Sequence, residues 1–432
     1  MVTWLLNLCY LVLLLAASPW LAWRAWRYGK YRQGWGAKWW GAVPPRHSDR
    51  PCIWLHAVSV GEVVSLGPLL RELGDRDFDL VISTTTQTGY ATACKRYPQS
   101  TVVYCPLDFS WAVRRALDRI RPDLLVLAEL ELWPNLIRLA TRRAIPVALV
   151  NARLSHHSYR GYRRAGPLLR PLFRSLRYVG VQSKTYADRF RQLGVPDDRI
   201  DVTGSLKFDG AVTDRNNDRT TALADWARIS PHDIVFCAGS TQAPEERMAL
   251  DVYRRLAPHF PQLRLFLVPR HPERFDEVAR LLEAGGIPWS RRSCDASGSH
   301  RIVLVDTIGE LGAWWGTAHI AYVGGSMGKR EGQNMIEPAA YGAAVAFGPR
   351  TRNFRDVVAL LRDAEAAVVV HDTDDLESFV RRAVAEPTWR TKLGRRAQQV
   401  VLSQRGAARR TATALRTLLP AQPSSRCPAK AA

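Results

Sequence analysis

Residues 124–135 read LLVLAELELWPN. An unbroken apolar run, Leu124 to Ala128, ends at Glu129 and Glu131, and Pro134 opens the next segment. So short an apolar run suits a strand buried on both faces, the setting of a parallel sheet covered by helices. A carboxylate at the end of such a strand is paired, solvated by a crevice or functional; structural pairing and function weigh about equally here. The pattern repeats outward on both sides, as CIWLHAV (52–58), DLVISTT (79–85), STVVYCP (100–106), PVALVNA (146–152) and YVGVQS (178–183). Amphipathic stretches such as VVSLGPLLRELG (63–74) and SWAVRRALDRI (110–120) lie between them. The rhythm breaks in a polar stretch at 208–230 and restarts as DIVFCAGS, LRLFLVP, RIVLVD, IAYVGG, AVAFG and AAVVV. Strands alternating with helices in two successive blocks predict an α/β protein of two Rossmann-like domains, with the ligand in an interdomain cleft.

Length and composition agree with two domains. The chain has 432 residues, 47% hydrophobic and 23% charged, which excludes bulk disorder, collagen and coiled coil. Its net charge of +21 calls for a polyanionic partner: nucleic acid, anionic lipid or a phosphorylated substrate. That charge is local. Residues 1–50 carry seven Lys or Arg against one Asp, residues 153–191 ten against one Asp, and residues 387–432 ten against no acid, so the remainder is slightly negative. The three segments are expected to share one membrane-docking face. Seven scattered cysteines without a CxxC pair argue for a reducing compartment and against a structural zinc site.

Val2 to Trp23 contains no charged residue and is just long enough to cross or deeply enter a bilayer. Arg24, Arg27, Lys30 and Arg32 follow, interleaved with Trp23, Trp26, Tyr28 and Tyr31. Cations after the apolar run place the body in the cytoplasm. A cleaved signal peptide is the weaker reading, because its positive charge would precede the apolar stretch.

The chain has neither a GxGxxG nor a GxxxxGK[ST] motif, so dehydrogenase and P-loop chemistry have no support. Polar clusters at strand ends take their place. HAVSVGE (56–62) offers Glu62 as a general base, although a Glu in a first helical turn more often complements the helix dipole. GSLKFD (204–209) offers Lys207, which is otherwise a surface lysine. LVPRHPERF (267–275) makes a rigid cationic turn in which Arg270 suits phosphate. DTIGEL (306–311) brings Gly309 and Glu310. VGGSMGKREGQNMIEPAAYG (323–342) exposes backbone N–H groups near Gly325 to an anion and aligns Asn334 with Glu337, which could accept ribose hydroxyls.

In this order HAVSVGE, TTTQTG (84–89), ELELWPN, NARLSHHS (151–158), GSLKFD, AGST with Glu245 and Glu246, PRHPERF, DTIGEL, GGS (324–326), NMIEPAA (334–340) and GPRTRNF (348–354) resemble the Kdo (3-deoxy-D-manno-octulosonic acid) transferases of lipopolysaccharide synthesis. The resemblance runs from about residue 20 to residue 400. It implies a two-lobed fold of the glycosyltransferase B type, CMP-Kdo as donor, a lipid A precursor (lipid IVA) as acceptor, no cofactor and no metal. It assigns Glu62 as the proton acceptor and Glu129 and Lys207 as transition-state stabilisers. Pro269, Arg270, Ile308, Gly309, Glu310, Asn334, Met335, Ile336 and Glu337 fall on the CMP-binding segments. Where the family usually reads STHEGEE and GGHNPLE, this chain has STQAPEE (Gln242, Ala243, Pro244) and EGQNMIE (Glu331, Gln333, Met335), and both lost histidines are glutamine.

The implied division is a membrane anchor at 1–23, a basic juxtamembrane segment at 24–50, an acceptor-binding Rossmann-like domain at 51–208 and a hinge at 209–230. A CMP-sugar-binding Rossmann-like domain at 231–387, a basic C-terminal helix at 388–418 and a disordered tail at 419–432 complete it. The expected location is the cytoplasmic side of the inner membrane, with the anionic bilayer surface as a partner and no nucleic acid. A UDP-sugar donor on the same fold is the competing enzyme reading. A nucleic-acid binder, drawn from the charge alone, is disfavoured by the near-neutral body.

Overall fold

The computed structural model describes residues 2–28, 33–74 and 78–420. The backbone separates into two units, one running to Gly210 and resuming at Arg405, the other Ala211–Gln404.

The first unit holds β1 (Cys52–His56), β2 (Asp79–Thr84), β3 (Thr101–Tyr104), β4 (Leu124–Ala128), β5 (Val147–Ala152), β6 (Tyr178–Val181) and β7 (Ile200–Val202). All pair in parallel in the order β3-β2-β1-β4-β5-β6-β7. Every residue of β1, β4, β5 and β6 is buried, which is why these strands read as continuous apolar runs. One face packs Trp54, Leu125, Leu127 and Phe173, and the other Ile53, Leu55, Val126 and Val150. The strand order reverses between β1 and β4, so the crevice beyond their carboxyl ends is the switch point where such sheets bind ligands.

The second unit repeats the plan with β8 (Ile234–Thr241), β9 (Leu263–Pro269), β10 (Trp289–Arg291), β11 (Ile302–Leu304), β12 (Ile320–Val323), β13 (Ala344–Phe347) and β14 (Ala367–Val369). The order is β10-β11-β9-β8-β12-β13-β14, again parallel, with its switch point between β8 and β12. Phe236, Leu265, Tyr322 and Phe379 lie in its core. The apolar runs predict all strands but β7 and β10. These are three-residue sheet edges, IDV and WSR, each held by a single neighbour and each broken by a polar residue, so neither leaves an apolar run.

Several sequence boundaries move. The basic segment 24–50 is no free linker: residues up to Tyr28 continue the N-terminal helix, Trp35–Trp40 is a second helix, and Arg46 bonds the carbonyls of Ile120 and Arg121. Residues 29–32 lie outside the described residues. The stretch 209–230 is not a bare hinge. Arg215 donates to the carbonyls of Tyr341, Gly316 and Ala318 at 2.8 Å each, and Asn217 caps the helix Asp218–Trp226, so its polarity is used inside the second unit. The expected helix 388–418 is two. Pro387–Ser403 stays with the second unit, while Ala407–Arg416 packs Ala407, Ala408, Ala412 and Leu415 into the first unit's core. Leu418 and Leu419 pack there too, which removes 419 from the expected tail; 421–432 lie outside the described residues. Part of the C-terminal charge is therefore structural: Arg410 bonds the Thr203 carbonyl and Arg416 those of Glu72 and Leu73.

Candidate active site

Each sheet carries its polar clusters at its own switch point. In the first unit β1 ends at His56 and the chain turns into the helix Val60–Ser65. Ser59 caps that helix, its Oγ accepting from the Glu62 N–H. Glu62 folds back onto the same turn: Oε1 accepts from Ser59 Oγ at 2.8 Å and Oε2 from the Val58 N–H at 2.9 Å. The structural reading of Glu62 is thus realised, and the same bonds hold its carboxylate in one orientation. Burial pushes the Glu62 carboxyl above the usual range and Glu129 adds to the rise, against the lowering effect of its hydrogen bonds. Thr84, Thr85 and Thr86 all donate to the Val58 carbonyl, tying TTTQTG to this turn. A Cβ at Gly89 would meet Thr84 Oγ1 at 2.5 Å, so only glycine lets that loop close.

Glu129 and Glu131 follow β4, next to β1 in the sheet. Glu129 takes a left-handed backbone, φ 54°, and its carboxylate accepts from Arg153 Nε at 2.9 Å. Glu131 accepts from Trp133 Nε1 at 3.2 Å, and Trp133 meets the buried His56 edge-on. Burial pushes the Glu131 carboxyl up to about 7, helped by the charge of Glu62, while burial pushes the His56 imidazole down to about 4. Lys207 begins the short helix Leu206–Asp209, and Asn151 at the end of β5 secures that helix by accepting from the Leu206 N–H. Burial lowers the Lys207 ammonium; Glu129 and Glu62 oppose this, and Arg153 reinforces it.

The predicted Glu62, Glu129 and Lys207 are therefore brought together, and two residues join them. Arg153 sits in NARLSHHS, the polar end of a strand adjoining β4, and the strand-end rule that singled out Glu129 would have found it. Glu131 lies at the same strand end as Glu129 but has a different partner, Trp133 in place of Arg153.

In the second unit Arg270 follows β9 and donates its N–H to the Thr241 carbonyl at the end of β8. Glu337 accepts from Asn334 Nδ2 at 2.9 Å; burial raises its carboxyl, while Asn334 and the nearby charge of Arg270 lower it. Pro269, Met335 and Ile336 are buried. Ile308 is 79% exposed and Gly309 adopts φ 90° beside it. Glu310 is occupied: Arg292 grips it with two bonds at 3.0 and 3.1 Å, and Thr307 and Trp314 also donate to it.

One expectation is corrected. The N–H groups near Gly325 do not stand open for a phosphate, because the Glu245 carboxylate already accepts from Gly325, Ser326 and Met327 at 2.7, 2.9 and 3.0 Å. It also accepts from Tyr322 Oη and the Gln242 N–H. A carboxylate this deeply buried must be paired, and the glycine turn is an anion-binding nest that its own chain fills. A Cβ at Gly324 would lie 2.8 Å from Glu245 Oε2, so the glycine is needed for that approach. Gln333, in place of a family histidine, packs against Gly325 with Nε2 buried and unpartnered. Among the described residues no three His, Cys, Asp or Glu gather as metal ligands.

Comparison with known proteins agrees with this layout. A family model described as 3-Deoxy-D-manno-octulosonic-acid transferase (kdotransferase) matches residues 27–210. The 3-deoxy-D-manno-octulosonic acid transferase of Haemophilus influenzae is 33% identical over 96% of this chain and 96% of its own length. That of Bordetella pertussis is 35% identical over 87% and 89%. Among solved structures, the UDP-GlcNAc 2-epimerase of Neisseria meningitidis covers 85% of this chain and 100% of its own at 13% identity and a TM-score of 0.58, a likeness of fold. The fold is of the glycosyltransferase B type, and the chain belongs to the 3-deoxy-D-manno-octulosonic acid transferase family.

Proposed function

We propose that this chain transfers Kdo from CMP-Kdo to a lipid A precursor, lipid IVA, with inversion at the anomeric carbon and without a metal, on the cytoplasmic side of the inner membrane. The observation that carries this reading is the gathering of Glu62, Glu129, Glu131, Arg153 and Lys207 at the first sheet's switch point. In this reading the second unit takes the donor. Arg270 meets the phosphate, and Glu337, with Asn334 on one oxygen, keeps the other for ribose hydroxyls. The first unit takes the acceptor. Glu62 accepts the proton of the attacking sugar hydroxyl as its oxygen bonds the anomeric carbon; the bond from that carbon to the phosphate oxygen breaks, and CMP leaves with the electron pair. Lys207 offsets the negative charge that builds as CMP departs, and Glu129, fixed by Arg153, faces the positive charge on the sugar ring.

The test is purified protein with CMP-Kdo and lipid IVA, reading CMP release and the mass of the lipid. Glu62→Gln is expected to lower transfer by about 10²–10⁴-fold with the thermal transition intact. Transfer unchanged by that substitution sinks the assignment of the base. CMP release without a heavier lipid sinks the acceptor.

A further inference from the structure

The N-terminal helix Val2–Tyr28 is long and apolar enough to cross a membrane, and its own burial gives it an orientation. The side chains withdrawn from solvent are Thr3, Leu6, Asn7, Tyr10, Leu14 and Ala17, spaced by three and four on one stripe. The first unit sits against this stripe. Asn7, 5% exposed, donates to Ser110 Oγ at 2.7 Å, and its Oδ1 accepts from the Ser110 N–H at 3.0 Å and from Asn135 Nδ2 at 3.1 Å. Tyr10 donates to Asp108 Oδ2 at 2.9 Å. Asp108 also accepts from the N–H groups of Asn135 and Leu136, at the start of the helix that follows Glu129 and Glu131.

The opposite flank has no cover among the described residues. Trp4, Leu5, Leu8, Val12 and Leu15 are each more than half exposed, Trp4 at 74%. The apolar surface runs on into the unit: the Tyr10 ring meets Phe109, Phe109 stacks on Trp111 at 4.5 Å, and Trp39 joins Trp111 to Trp40. Both Trp40 and Trp111 are exposed.

These contacts are incompatible with a span. With the cytoplasmic boundary at the cations that begin at Arg24, Asn7 of a spanning helix would stand about 25 Å beyond it at ~1.5 Å per residue. Ser110, Asn135 and Asp108 belong to a folded α/β unit and cannot follow. An undocked helix would present Asn7 and Tyr10 to lipid without their partners.

We propose that the helix is monotopic. It lies along one leaflet, its polar stripe held to the first unit by Asn7 and Tyr10, its apolar flank together with Trp40 and Trp111 sunk in the interface of an anionic bilayer. The stretch of sequence that ends this helix and follows it, residues 24–32, carries four cations and no acid, the charge sign that an anionic surface attracts. One chain of hydrogen bonds then runs from the N-terminal helix to Asn135 and Leu136, in the first turn of the helix that follows Glu129 and Glu131, placing the candidate acceptor side at the lipid surface. The inference rests on the membrane attachment proposed above and not on the sugar chemistry.

Full-length protein in its native membrane tests it. In a background with Cys9, Cys94, Cys294 and Cys427 changed to Ser, Asn7→Cys with Ser110→Cys is expected to form a disulfide on mild oxidation. Trp4→Cys, on the exposed flank, is expected to resist a membrane-impermeant maleimide in intact spheroplasts and to react after detergent. Labelling from outside, or no cross-link in protein that retains its thermal transition, overturns the proposal. Recovery of the protein entirely in the soluble fraction overturns membrane attachment itself. A docked, membrane-bound protein that fails to transfer Kdo would overturn only the proposed reaction.

Discussion

At the scale of single residues the first switch point is a set of coupled charges, and its response to pH has a definite sign. Glu131 holds its proton up to about 7 because it is buried beside Glu62. A carboxyl whose folded value is raised stabilises the folded state fully below the ordinary carboxylate range, and that contribution is lost as pH rises through about 7. Glu131→Gln is expected to be more thermostable than the parent at pH 8 relative to pH 5, measured as the difference in Tm at the two values. The like charge that raises Glu62 is that of Glu129, so Glu129→Gln eases deprotonation of Glu62 and moves the acid limb of kcat/KM to lower pH. An acid limb that does not move would mean that Glu62 is not the group titrating in the profile. In the second unit, Glu245→Ala leaves its buried donors unmatched at about 1–3 kcal/mol for each group that finds no water. A lowered Tm and weakened CMP binding by calorimetry are expected together, because the glycine turn loses its internal anion. Glu62 and Glu129 were legible as residues, and the Ser59–Glu62 pair is local, three residues apart; the Arg153 ion pair was not legible, since it depends on where two strand ends meet.

At the scale of elements, the short helix Val60–Ser65 couples stability to chemistry through one cap. Ser59→Ala removes the cap, at a cost of about 0.5–2 kcal/mol. It also removes a donor that lowers the Glu62 carboxyl. The expected outcome is a lower Tm together with an acid limb shifted to higher pH, opposite in direction to Glu129→Gln. A stability loss without the pH shift would separate the cap from the base. Strands were the most legible elements, because full burial on both faces writes an apolar run into the sequence. β7 and β10 were silent because IDV and WSR interrupt the apolar run with a polar residue, whereas β14, an edge strand equally short, reads AVV and was legible.

At the scale of the molecule, the chain leaves the first unit after Gly210 and returns at Arg405. The return is structural: the Asp209 carboxylate accepts from the Gly406 and Ala408 N–H groups at 2.6 and 2.8 Å, and Leu415 is fully buried in the first unit. Truncation after Gln404 is expected to destabilise the first unit by several kcal/mol, since burying one Leu alone contributes about 1.5–3 kcal/mol. The second unit is continuous in sequence, and residues 211–404 expressed alone are expected to unfold cooperatively. Hydrogen exchange on the truncated chain would show which unit loosened, and protection lost equally in both would overturn the assignment of the last helix. By itself the sequence determined two doubly wound blocks, the strand ends where chemistry gathers and the family, because apolar period and strand-end polarity are local properties of the chain. Only the tertiary structure decided that Glu245 fills the glycine turn, that Arg153 and Glu131 join Glu62, that the last helix belongs to the first unit and that the apolar N-terminal helix has a docked face. Each of these depends on a buried polar group finding its partner across a long loop, and no spacing along the chain records such a meeting.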